Sequence, residues 1–440
     1  MNGLKTIVTI TPLKVEADSR TFKQAASMRR FGFLSLVIEA EASHFNNEDL
    51  PFDLRSMEGN SLRNRHSLSK IPLSESVRFN VWAFIRKLSK ILPDFFKDAI
   101  RFSLFVMHYF YKAGWRPLRF IPRGSLYYLH APYLFPAVWI ISKWYGAPFI
   151  YDAHDFYTQM EEDHERSSIE RRWIDPFYKK IEKHCIRHAA AVVTVSEGIS
   201  KLQRKTFGVQ SVVIRSCQDL RLEKSPSKSL RDILKISLDD FLLVSIGQAK
   251  KGMAVCECLE AMTILPRHVL LALVGRNQEQ HLEMIRHYGL EERVHVVQPM
   301  KPFEVISFVK SADAAIILYY PRSVNYEFCL PNGFFQSVSA ELPLLYPELP
   351  EIKNLAETYQ LGIPIDPSIP RSISTAVKRL IESPALRSQY HENARRAKEE
   401  LSWEKEEVIL RDLVFSVLRH NKSRDGNKVI SHRSREEMEK

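Results

Sequence analysis

The stretch Phe241-Leu242-Leu243-Val244-Ser245-Ile246-Gly247-Gln248-Ala249-Lys250-Lys251-Gly252 is a short, mostly apolar run, a glycine turn, and two lysines where the next helix begins. An apolar run of this length stopped by a turn reads as a strand buried on both faces, as in a parallel sheet covered by helices. Backbone N–H groups at a helix start, with a lysine beside them, make an anion site. Exposed lysines on a surface loop are the bland alternative.

The same alternation runs outward in both directions. Downstream it predicts strands at Val269 to Val274, Val294 to Val297, Ala314 to Tyr319 and Pro343 to Tyr346. Upstream it predicts strands at Lys5 to Thr11, Leu34 to Glu39, Ser125 to His130, Pro148 to Ala153, Ala191 to Val195 and Ser211 to Ile214, with helices between them. Strand and helix in alternation give parallel α/β sheets covered on both faces. A polar pause over Ser216 to Ser237 separates two doubly wound domains, 1–220 and 221–401. A helix opens at Ser402-Trp403-Glu404 and carries Val408, Leu410, Leu413, Val414 and Val417 at helical spacing. Periodicity ends near residue 420, so 421–440 reads as a disordered tail.

Two domains are also what 440 residues predict, and 45 % hydrophobic content marks a folded chain. Five scattered cysteines with neither zinc spacing nor disulfide density fit a reducing cytoplasm. The N-terminus runs into a strand-like stretch with no signal-peptide pattern. The longest apolar run, Ala131 to Ser142, falls short of the ~20 residues a spanning helix requires.

The net charge of +11 is concentrated. Between Pro51 and Ser125 fourteen basic residues face five acidic ones, and Val81 to Gly114 interleaves the cations with Trp82, Phe84, Phe95, Phe96, Phe102 and Phe105. This basic helical insert, about 51–124, fits a helix lying on an anionic membrane surface through 78–123, or a hairpin packed on the first domain with a solvated basic face. No nucleic-acid-binding motif accompanies it.

Open parallel sheets bind ligands at the carboxyl ends of their strands. Tyr151-Asp152-Ala153-His154-Asp155 ends one strand, and period-2 geometry points Asp152 and His154 the same way. An imidazole there suits a substrate hydroxyl or phosphate; a metal-binding His-Asp pair and a structural histidine are the alternatives. Leu330-Pro331-Asn332-Gly333-Phe334-Phe335-Gln336 reads as a helix capped by Asn332. Gly333 and Phe334 would offer N–H groups to a diphosphate and Gln336 would reach a sugar hydroxyl, unless this is simply an ordinary capped helix. In Thr194-Val195-Ser196-Glu197-Gly198, Ser196 suits a helix cap better than a ligand contact. No Walker loop, dinucleotide fingerprint, zincin motif or nucleophile elbow is present.

In this order, Asp18-Ser19-Arg20, Tyr151 to Asp155, Val193 to Glu197, Val213-Ile214-Arg215-Ser216, Lys251-Gly252, Leu330-Pro331-Asn332 and Ser402-Trp403-Glu404 resemble glycosyltransferase family 4 across most of the chain. The resemblance implies the GT-B fold, two Rossmann-like domains facing a cleft, with the helix 402–420 crossing back to the first. It implies a retaining, metal-independent transfer of sugar from a nucleotide-sugar, with no cofactor. It assigns His154, Asp152 and Lys251 to catalysis. Gly247, Gln248, Lys250, Gly252, Asn332, Gly333, Phe334 and Gln336 go to the donor, and Ser196 to the acceptor side. The acceptor would be a glycan or a lipid-linked glycan of a surface polysaccharide or glycolipid, met in the cytoplasm at the inner face of the cell membrane.

The chain departs from the family pattern at four places. Gln248 stands where an arginine usually precedes Lys-Gly, Gly333 where a lysine follows Pro-Asn, and Gln336 where a glutamate holds the ribose; Glu327 is one residue out of register. These departures motivate the alternative of a non-catalytic GT-B scaffold in a polysaccharide-assembly complex.

Overall fold

The computed structural model describes residues 4–43, 50–57, 94–157, 170–301 and 303–436. Part of the basic insert, with Arg78, Arg86, Lys87 and Lys90, lies outside the described residues.

Two parallel sheets form the molecule. The first has seven strands in the order β3-β2-β1-β4-β5-β6-β7, running Asp53–Ser56, Leu34–Glu39, Thr6–Thr11, Leu126–His130, Phe149–Asp152, Ala191–Thr194 and Val212–Val213. The second has six in the order β10-β9-β8-β11-β12-β13: Val294–Val297, Val269–Val274, Phe241–Ile246, Ala314–Ile316, Leu344–Pro347 and Gly362–Ile365. In both, the order reverses beside the first strand of the sheet, which opens a crevice at the carboxyl ends.

The central strands are apolar on both faces because helices cover both. Leu242 and Val244 enter one core with Phe334 and Val338, while Phe241 and Leu243 enter the opposite core with Leu259 and Met262. Two strands escaped the sequence reading. β3 reads Asp-Leu-Arg-Ser and β13 carries Pro364, and both lie at sheet edges, where polar residues and a missing N–H are tolerated. β3 thus gives a strand to the beginning of the stretch read as a helical insert.

The closing helix, Trp403–Glu436, leaves the second lobe and packs on the first. Trp403, Leu410, Val414 and Val417 share a core with Ile7, Met28 and Tyr128, and Trp403 Nε1 donates to Ser27 Oγ at 2.9 Å. The helix runs on past residue 420, where its apolar periodicity stops. Among the described residues no helix is long and apolar enough to cross a membrane.

Candidate active site

A cleft of about 480 Å³ opens between the two lobes, lined from both. On the first wall, Asp18 caps the helix Ser19–Arg30, accepting the N–H groups of Arg20 at 3.2 Å and Thr21 at 3.1 Å. The cap fixes Arg20, whose Nε lies 3.1 Å from both oxygens of Asp152, at the end of β5. Gln24 Nε2 at 2.7 Å and Tyr128 Oη at 3.1 Å also donate to Asp152. Burial pushes the Asp152 carboxyl up, but Arg20, His130 and His154 together outweigh it and hold it at about 2. Asp152 is completely buried and does not line the cleft, so its part there is to position its neighbours.

His154 does line the cleft. Its Nδ1 sits 4.0 Å from Asp152 Oδ1, and its Nε2 is 3.0 Å from Tyr157 Oη. Beneath it, His130 is fully buried, neither ring nitrogen has a hydrogen-bond partner, and burial pushes it down to about 4, hence neutral. Ligand atoms of His130, Asp152 and His154 lie within 4.8 Å of one another, the one grouping of metal-ligating type among the described residues. Its carboxylate is already engaged by Arg20, Gln24 and Tyr128, an arrangement built for an ion pair.

The second wall is the carboxyl edge of β8, β9 and β11. Gly247, Gln248 and Lys250 line it, with Asn332, Gly333 and Gln336 from the helix Asn332–Ser339. Gly333 approaches so closely that a Cβ there would sit 2.3 Å from the Ile246 carbonyl oxygen. Three expected contacts are absent from the lining. Lys251 is exposed and is not among the lining residues, its backbone carbonyl accepting Tyr326 Oη at 3.0 Å, and Gly252 is buried against Arg322. Phe334 is buried in the core, with its N–H spent on the Pro331 carbonyl at 3.0 Å. Asn332 is not a cap either. Pro331 holds the extended cap position, so Asn332 is already helical, and the amides of Asn332 and Gly333 remain in the first turn without an intrahelical acceptor. Ser196 caps the helix Glu197–Phe207 and donates to the Phe328 carbonyl of the other lobe at 2.9 Å, outside the cleft lining.

The sequence reading missed Arg276 and Asn325, which also line the cleft. Gly275-Arg276 follows β9 as Gly247-Gln248 follows β8, so the strand-then-glycine signal was present. Asn325 carried none.

Known proteins agree with this architecture. The model described as glycosyl transferases group 1 matches residues 226–397, and that described as a glycosyl transferase 4-like domain matches residues 57–215. No curated protein matches. Among solved structures, sucrose-phosphate synthase from Thermosynechococcus elongatus is similar at TM-score 0.66 and 14 % identity, covering 94 % of this chain and 100 % of that one. HepE of Anabaena, in complex with UDP-glucose, is similar at TM-score 0.64 and 13 % identity, covering 94 % and 100 %. WaaG, a glycosyltransferase involved in lipopolysaccharide biosynthesis, is similar at TM-score 0.57 and 13 % identity, covering 92 % and 99 %. With both halves matched in order and two parallel sheets meeting at one cleft, the chain belongs to the group 1, family 4-like glycosyltransferases of the GT-B fold.

Proposed function

We propose that this protein transfers a sugar from a nucleotide-sugar to a glycan or lipid-linked acceptor in surface polysaccharide or glycolipid assembly, retaining anomeric configuration without a divalent metal. The observation that carries the reading is the pairing across one cleft of His154 with Lys250 and the first-turn amides of Asn332 and Gly333. Negative charge develops on the departing diphosphate, and fixed donors in a closed cleft stabilise it without reorganising. His154, steadied by Tyr157, faces the sugar and the acceptor hydroxyl. HepE has been solved with UDP and with UDP-glucose, which supports a nucleotide-sugar donor here.

The basic insert supports an acceptor met at a membrane. The helix Asp94–Tyr109 packs one aromatic face inward, with Phe105 and Tyr109 ring centroids 5.8 and 5.1 Å from Phe177. Its other face continues into the following turn and leaves Phe96, Met107, Tyr111 and Trp115 more than half exposed. A helix apolar on both sides needs cover on the second side, and an anionic bilayer also matches the flanking Lys97, Arg101, Arg116 and Arg119.

The test is incubation of the purified full chain with a panel of UDP-, GDP-, ADP- and dTDP-sugars. Binding and slow donor hydrolysis are expected from one member, with hydrolysis reduced on the order of a hundredfold in His154→Ala. Silence across the panel overturns the reading.

A further inference from the structure

Arg276 is a cation of the cleft wall. It is half-buried, it lines the cleft together with Lys250, and among the described residues no carboxylate lies within ion-pair distance of either. The strand register explains how it arrives there. β8 and β9 pair residue for residue from Phe241 with Val269 to Ile246 with Val274, so the loops that leave them run side by side. Gly247 N–H donates to the Val274 carbonyl at 2.9 Å, Ala249 N–H to the Arg276 carbonyl at 2.9 Å, and Gln278 Nε2 to the Gly247 carbonyl at 2.8 Å. The loops touch so closely that a Cβ on Gly275 would lie 1.9 Å from the Gly247 oxygen. Arg276 therefore stands beside Gln248, and the neighbouring strand supplies a positive charge where the β8 loop has a neutral amide.

We infer that Arg276 is a phosphate-binding residue of the donor site, acting with Lys250 on the diphosphate of the nucleotide; this rests on the nucleotide-sugar reading above. A half-buried guanidinium left unpaired in a concave site is unfavourable unless an anion completes it. Its planar fork binds phosphate oxygens in pairs, whereas Lys250 contributes a point charge. The acidic groups of the cleft, Glu16, Asp18 and Asp155, come from the other lobe, and Asp18 is occupied as a helix cap. The second wall thus presents two cations and the first-turn amides of Asn332 and Gly333, and no carboxylate side chain among its lining residues. Its complement is a doubly or triply charged anion.

The experiment is calorimetric titration of the full chain, wild type, Arg276→Ala and Arg276→Lys, with UDP, UMP and uridine, and with the guanosine and adenosine series. For the series that binds, Arg276→Ala is expected to weaken the diphosphate about 10- to 100-fold, the range for losing a charge-assisted hydrogen bond. The nucleoside should change less than about twofold, the salt dependence of diphosphate binding should become shallower, and Arg276→Lys should recover part of the loss. Unchanged diphosphate affinity in Arg276→Ala, or an equal loss for nucleoside and diphosphate, overturns the assignment while leaving the donor reading intact. If the wild type binds no member of any series, the donor reading fails first and the assignment falls with it.

Discussion

The side-chain amide of Asn325, in the second lobe, clasps the backbone of Phe156, in the first: its Oδ1 accepts the Phe156 N–H at 2.6 Å and its Nδ2 donates to the Phe156 carbonyl at 3.2 Å. Ser196 and the Phe328 carbonyl form a second bridge between lobes, and Glu351 Oε1, accepting the Gly198 N–H at 2.7 Å, forms a third. All three join the two lobes, and Asn325 and Phe328 also line the cleft.

Loosening that clasp should act on binding of the donor. Each such hydrogen bond is worth about 1 kcal/mol net and the amide makes two, so Asn325→Ala is expected to raise the KM for the donor sugar roughly 30-fold. Small-angle scattering of the same variant should show a larger radius of gyration. Unchanged KM and unchanged scattering would mean that the contact does not govern closure.

The Arg20–Asp152 pair should set the acid limb of stability. A carboxylate held near 2 when folded and near 3.8 when unfolded contributes stability that is present above pH 4 and is lost as pH falls through 2. Arg20→Gln should destabilise by about 3–5 kcal/mol at neutral pH, because it leaves a buried carboxylate without its cation. Chemical denaturation against pH reads both effects.

His130 works in a higher window. Its imidazole is held at about 4 against 6.5 unfolded, so between those values the unfolded chain binds the extra proton and stability falls on acidification. His130→Phe should flatten that slope between pH 6.5 and 4. Because both ring nitrogens are buried without partners, the substitution should cost little at pH 7 or raise the melting temperature. A steep loss at pH 7 would show that a nitrogen has an essential partner.

Close backbone approach makes Gly333 and Gly275 intolerant of side chains. A Cβ on either meets a backbone oxygen of the β8 edge, at 2.3 Å and 1.9 Å, and Gly275 also has φ +147°. Gly333→Ala and Gly275→Ala should each lower the melting temperature by several degrees. The same geometry bars a lysine at position 333, so the family's Pro-Asn-Lys cannot be restored there without displacing the helix from β8.

For the outer face of the basic helix, the expectation is co-sedimentation with phosphatidylcholine vesicles only when phosphatidylglycerol is present, weakening as salt rises. Replacing Lys97, Arg101, Arg116 and Arg119 with Glu should abolish it, at about 1 kcal/mol per charge. Trp115→Ser should weaken binding at all salt concentrations. Equal binding to neutral vesicles would separate the face from any electrostatic role.

Local pattern alone was enough for most of the fold. Apolar runs such as Val269 to Val274 can be satisfied only inside a sheet covered on both faces, and the glycines that end them mark where strands deliver their loops to a crevice. His154, Gly247 and Lys250 were legible as cleft-lining residues because they follow such strands, and Gln336 because it sits in the first turns of a helix read from its start. The edge strands β3 and β13 were not, since an edge tolerates the polar residues and proline that erase the pattern.

Only tertiary structure decided which residues line the cleft. It placed Lys250 and not Lys251 in the cleft lining, spent the Phe334 amide on a turn, buried Asp152 under Arg20, and brought Arg276 beside Gln248. The physical reason is that strand register and lobe closure join residues far apart in the chain, such as Asn325 with Phe156. Hydrophobic periodicity records which face of an element is buried, and holds no information about what another element will set against it.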